Sequence, residues 1–128
     1  MLCLHLLLAS VLSGTVPQVA ETQDIAPVWS GHPVGFCLYT HKDIQLAAFY
    51  DVDRHMTVAK RTLGSRDWQR VWLPEQVQWD SHNSIVMAVD EDDYIHLSGN
   101  MHVKPLVYFR TKEPLDIATF ERLPMVGA

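Results

Sequence analysis

The stretch "HNSIVMAVDEDDYIHLSGNMH", residues 82–102, decides how this chain folds. Two apolar runs, "SIVMAV" and "YIHLSG", flank an acidic, turn-prone segment at Glu91, Asp92 and Asp93. Short runs with β-branched and aromatic content on either side of a turn read as a hairpin. A three-residue loop pairs Asp90 with Tyr94 and Val89 with Ile95, and carried to its end that register sets His82 opposite His102. A two-residue loop moves the partner of His82 to Met101 and leaves His102 adjacent. In both cases two histidines meet at the open end of the hairpin, away from the acidic turn. Opposed residues on neighbouring strands lie about 5 Å apart. Imidazoles at that spacing can share a metal, or divide general-base and general-acid work near neutrality. A lone histidine at a strand end is more often structural, so it is the pair that makes His82 and His102 candidates. His96, mid-strand, reads as structural, and His41 and His55 read as solvated turn residues.

The hairpin belongs to a longer pattern. Slid against itself by 50 residues, the sequence aligns without a gap: Trp29 on Trp79, His32 on His82, Asp43 on Asp93, Leu73 on Leu123 and Pro74 on Pro124. The apolar runs coincide as well, "VGFCLY" over "SIVMAV" and "MTVAKR" over "LVYFRT", and so do the turns "THKD" and "DEDD". Internal periods of this length mark repeat architectures. Each unit divides into short runs such as "QLAAFY", "MTVAKRTL" and "WQRVWL", separated by "DVDR" and "GSRD", with no long apolar stripe at helical spacing. The expected fold is all-β: two antiparallel four-stranded blades of an incomplete β-propeller, over residues 28–77 and 78–127. A closed propeller needs about four to eight blades. The expectation is therefore an N-terminal piece of a longer protein whose remaining blades are missing here. Both outer blade faces would then lack partners, which favours aggregation.

Composition excludes some functions. The chain has 128 residues, enough for one domain, with 48% apolar and 20% charged residues. A net charge of −5 argues against non-specific binding to nucleic acid or to an acidic membrane surface. Leu2 to Leu12 is almost wholly apolar, too short to span a bilayer, and is followed by small and polar residues. Residues 1–20 thus read as a secretory signal, although the segment before the apolar run has no Lys or Arg. This implies a secreted or periplasmic protein with no membrane span. Removing the signal takes Cys3 with it and leaves Cys37 without an intrachain partner, as a core residue in "GFCLY". Asn83 and Asn100 flank the paired histidines and are candidates to orient an imidazole or contact a ligand. Trp29 and Trp79 read as blade-packing residues rather than sugar platforms.

The segments "GHPVGF", "AAFYD", "MTVAKR", "WDSHNSIVMAVDEDDYIHLSGNMH" and "PLVYFRT" closely resemble the BNR-repeat-containing family, which includes ulvan lyases of the seven-bladed propeller kind. The resemblance covers roughly residues 28–117. It implies a secreted bacterial propeller acting on an acidic, uronate-containing polysaccharide by β-elimination. It matches His82 and His102, in motif and in their 20-residue spacing, to two active-site histidines of those lyases. A Tyr and an Arg further along complete such sites, and this sequence stops before them. Arg110 is a candidate partner for the substrate carboxylate through its forked donors, although a strand-surface Arg paired with an acidic neighbour is the commoner case. A divalent metal, calcium or zinc, is a candidate cofactor, with no ligand set assigned. Two rival functions stand: a non-catalytic carbohydrate-binding propeller and a sialidase-like hydrolase. The latter needs an arginine cluster and a Tyr/Glu pair that these residues do not display.

Overall fold

A computed structural model describes residues 17–31 and 35–124. The apolar run from Leu2 to Leu12, and His32, lie outside the described residues. The chain forms β1 (Cys37–His41), β2 (Ile44–Tyr50), β3 (His55–Thr62), β4 (Gln69–Gln76), β5 (Ile85–Val89), β6 (Ile95–Gly99), β7 (Tyr108–Thr111) and β8 (Phe120–Arg122). They make two four-stranded sheets, ordered β1-β2-β3-β4 and β5-β6-β7-β8, with every neighbouring pair antiparallel. The only helix among the described residues is a single 3₁₀ turn at Ile117–Thr119, capped by the Asp116 side chain. This is the all-β pair of blades that the period and turn signals imply.

The two sheets share one core. Alternation along β2 sends Leu46, Ala48 and Tyr50 to one face, and alternation along β3 adds Met56 and Val58. From the second sheet, Ile85, Ile95, Leu97 and Phe109 meet them in a single buried cluster. A strand presents every second residue to one face, so each sheet contributes a stripe rather than a run. Gly99 marks the tightest point of this interface. A Cβ built there would stand 2.9 Å from Ile85 Cγ1 and 3.0 Å from both Met56 Cε and the Ser84 carbonyl oxygen. Met56 belongs to the first blade and Ile85 to the second, so only a hydrogen side chain lets the blades close at this level. Gly99→Ala is expected to lower stability by about 1–3 kcal/mol, the range for overpacking a filled core. Chemical denaturation of the two proteins checks it.

The second face of the first blade differs from expectation. Ala47, Phe49 and Ala59 are buried there under Ile25, Ala26 and Trp68. The chain's own segment ahead of β1 lies across the sheet, anchored by the hydrogen bond from Trp29 N–H to the Tyr50 carbonyl at 3.2 Å. One of the two faces expected to lack a partner is therefore covered. The outward face of the second blade, with Val86, Ala88, His96, Ser98 and Tyr108, is only half-buried to exposed.

Polar contacts tie the blades together at the rim. The β1–β2 turn brings His41 Nε2 to 2.6 Å from Asp93 Oδ1, and Lys42 Nζ donates to both Asp93 oxygens at 2.8 and 2.7 Å. Lys42 and Asp93 both take left-handed backbone conformations, with φ of 54° and 68°. His41 is thus an ion-pair partner rather than a solvated turn residue. Lys60 reaches from β3 to the Leu115 carbonyl at 2.6 Å. The Lys42 ammonium, and then His41, hold the Asp93 carboxyl below the usual carboxylate range. A depressed folded-state pKa contributes stability above the unfolded value, and that contribution is lost as pH falls through the lower, folded value. Asp93→Asn should therefore destabilise the protein at neutral pH, with the deficit shrinking below about pH 4, the ordinary Asp range. Denaturation midpoints of both proteins across an acid series measure it. A deficit independent of pH would show that Asp93 acts through shape alone.

Candidate functional site

The register of β5 with β6 runs Val89 opposite Ile95 through Ile85 opposite Gly99. Asp90 N–H donates to the Tyr94 carbonyl at 3.0 Å, so the connection is the three-residue loop at Glu91, Asp92 and Asp93. The Asp90 side chain fixes that loop by accepting from the N–H groups of Asp92 and Tyr94 at 3.0 and 2.8 Å. Side-chain capping of this kind is why Asp recurs at the first position of tight turns. Beyond the far ends of the two strands, His82 and His102 come together with ring centroids 4.4 Å apart and planes tilted by 39°.

Between them lies a residue the sequence reading passed over, Asp80. Its Oδ1 accepts from the His82 backbone N–H at 2.9 Å and lies 2.7 Å from His82 Nδ1. Its Oδ2 is hydrogen-bonded to His102 Nδ1. One carboxylate thus bridges both imidazoles. The His102 hydrogen bond, with the backbone and ring donors of His82, holds the Asp80 carboxyl well below the usual range. An ionised carboxylate only accepts, so each Nδ1 carries the proton and each Nε2 is left available. The side chains of His82 and His102 are 70% and 40% exposed, and that of Asp80 26%. The pair therefore opens to solvent while its anchor is more withdrawn. The signal for Asp80 lay in "WDSHN": an Asp two residues before a His can take both its N–H and its ring.

The asparagines support the loops. Asn83 is buried, and its Oδ1 accepts the His102 N–H at 3.1 Å, tying the loop before β5 to the loop after β6. Asn100 is also buried, at a left-handed φ of 55°. Its amide donates to Glu75 Oε1 and, at 3.1 Å, to the Gln76 carbonyl, joining the second blade to β4 of the first. Glu75 also meets Arg122 at 3.3 Å.

Arg110 is elsewhere. On β7 it pairs with His96 and Glu121, and its guanidinium sits 5.2 Å from the Tyr94 ring centroid. That is the acidic-turn end of the hairpin, opposite to His82 and His102. The structure therefore does not bring Arg110 together with the histidine pair. His96 bonds Tyr108 Oη at 2.6 Å and Asp90 Oδ2 at 2.9 Å, a cross-strand network consistent with a structural role. Trp29 and Trp79, equivalent in the repeat, touch edge to face with centroids 5.4 Å apart. Trp29 packs against the core, as expected, but Trp79 is 68% exposed. Cys37 is a free, half-buried thiol whose Sγ lies 3.9 Å from the Met87 carbonyl.

A family model for BNR repeat-containing family members matches residues 44–127. The chain belongs to this family. A search of curated proteins gives no match. Among solved structures, the chain is similar to one titled as the crystal structure of polysaccharide lyase Uly1, with a TM-score of 0.61 and 18% identity over 87% of this chain. The alignment covers 31% of that protein, so this BNR-repeat chain spans under a third of its length. At that identity the likeness shows the fold, a propeller built of such blades. In this BNR-repeat chain no described helix is long and apolar enough to cross a membrane.

Proposed function

We propose that this chain is the part of a secreted β-propeller protein that carries the proton-transferring pair of a polysaccharide lyase. In this reading it cleaves an acidic, uronate-containing polysaccharide such as ulvan by β-elimination. The observation that supports it best is the Asp80-bridged pair of imidazoles, 4.4 Å apart and open to solvent. Elimination needs a base to remove the proton at C5, a partial neutralisation of the adjoining carboxylate, and a proton for the leaving glycosidic oxygen. A neutral imidazole with its Nε2 lone pair outward can take the C5 proton, and a protonated one can hydrogen-bond the carboxylate. His82 is assigned the base or neutralising role, and His102 assists. Asp80 positions both rings and stabilises whichever becomes cationic. Asn83 and Asn100 hold the loops that carry the pair. The remaining blades, with any Tyr or Arg that completes the site, belong to the rest of the protein.

The exposed Trp79 favours a second reading, a binding propeller without catalysis. An exposed aromatic face suits stacking against a sugar ring. Incubating the intact protein with ulvan separates the two. The lyase reading expects ultraviolet absorbance from the unsaturated uronate to rise as the polymer shortens. Retention on the polymer with no such rise supports the binding reading instead.

A further inference from the structure

Asp80, His82 and His102 have a second chemistry open to them. Each offers one ligand atom, and the three atoms lie within 4.8 Å of one another. They come from two loops, Asp80 and His82 ahead of β5 and His102 after β6, which the Asn83–His102 hydrogen bond at 3.1 Å locks together. Asp80 pairs with these two imidazoles, and no Lys or Arg pairs with it among the described residues. The carboxylate is therefore compensated only by groups that themselves bind metals.

We infer that Asp80, His82 and His102 form a binding site for a divalent transition metal, of which zinc is the type. Two imidazoles and one carboxylate suit zinc and its neighbours, whereas calcium prefers six or more oxygen ligands and finds one carboxylate here. Ligand atoms around a tetrahedral zinc stand about 3.3 Å apart, given bonds of about 2.0–2.1 Å. Small rotations of the two imidazoles reach that arrangement from the present one. On binding, the hydrogen bonds from Nδ1 to Asp80 give way to coordinate bonds, and each ring's proton moves by way of solvent from Nδ1 to Nε2, so that both coordinate as neutral imidazoles. Three protein ligands leave a position facing water, as the exposure of both histidines requires. The inference rests on the donor set and does not depend on the lyase reading.

Calorimetric titration of the full chain, stripped with a chelator, with Zn²⁺ alone tests it without polysaccharide. One equivalent should bind, with affinity at least tenfold weaker in Asp80→Asn and lost in the double variant His82→Ala/His102→Ala. His96→Gln should bind as wild type, and Ca²⁺ should give no saturable heat. Co²⁺ should give visible d–d bands that vanish in the double variant. Circular dichroism confirms that each variant is folded, and Asp80→Asn, nearly isosteric, serves if the double variant is not. A wild type that binds no zinc, or either ligand variant binding with unchanged stoichiometry and affinity, overturns the inference.

Discussion

If the intact protein is a lyase as proposed, replacing either His82 or His102 with alanine should lower turnover by about a hundredfold or more, the scale of a lost acid/base group. The geometry makes the effect specific. Both rings are fixed by one carboxylate, and both present the nitrogen remote from it. Asp80→Asn provides the sharper test. An amide can donate to an imidazole nitrogen as well as accept, so the tautomer is no longer imposed. With Nδ1 accepting from the amide, the ring carries its proton on Nε2, which is the wrong state for a base. Turnover should fall, because the Nε2 lone pair is no longer held ready for the C5 proton. His96→Gln should leave turnover near normal, since its partners are Asp90 and Tyr108. If both single alanine variants of an active parent keep near-normal rates, the two histidines are structural residues closing the end of a blade.

The second large effect concerns the shared core. Phe109 is 1% exposed, sits on β7 opposite Leu97 and Arg122, and belongs to the cluster that both blades build. Phe109→Ala should lower unfolding free energy by about 3–5 kcal/mol, the range for deleting a buried aromatic ring. Urea unfolding measures it, as a shift in midpoint at constant slope. Because its cluster draws on both sheets, the loss should appear in probes of both blades together. If only the second blade unfolded early, the two sheets would be separate cooperative units and the common core would not be the source of stability.

Much of this was legible in the residues. The alternation and turn signals between Ile85 and Gly99 are local, and a hairpin closed by Asp90 has little choice of register, so the meeting of His82 and His102 could be read off by counting. The interface between blades follows from the same period, since stripes at every second residue of β2 and β6 must be buried against something. What resisted reading depended on tertiary placement. Residue type alone makes Arg110 a candidate carboxylate partner, and its position follows from the pairing of β7 with β6, which carries it toward the acidic turn. Asp80 sits in an irregular loop where no periodicity speaks, and it becomes meaningful only once two rings flank it. The segment before β1 has scattered apolar residues with no period, so nothing announces that Ile25 and Ala26 in particular cover Phe49.

The contact at the rim also gives the array a direction. His41 and Lys42 of the first unit grip Asp93 of the second, yet at the equivalent positions the second unit carries Glu91 and Asp92. Were recombination to place a copy of the second unit ahead of itself, those two acids would face Asp93 and repel it. Charge at three neighbouring positions thus makes the joint polar, like a plug and its socket. Units that share one backbone plan are in this way prevented from being interchanged, and the order of blades is written into the side chains at the edge rather than into the sheets.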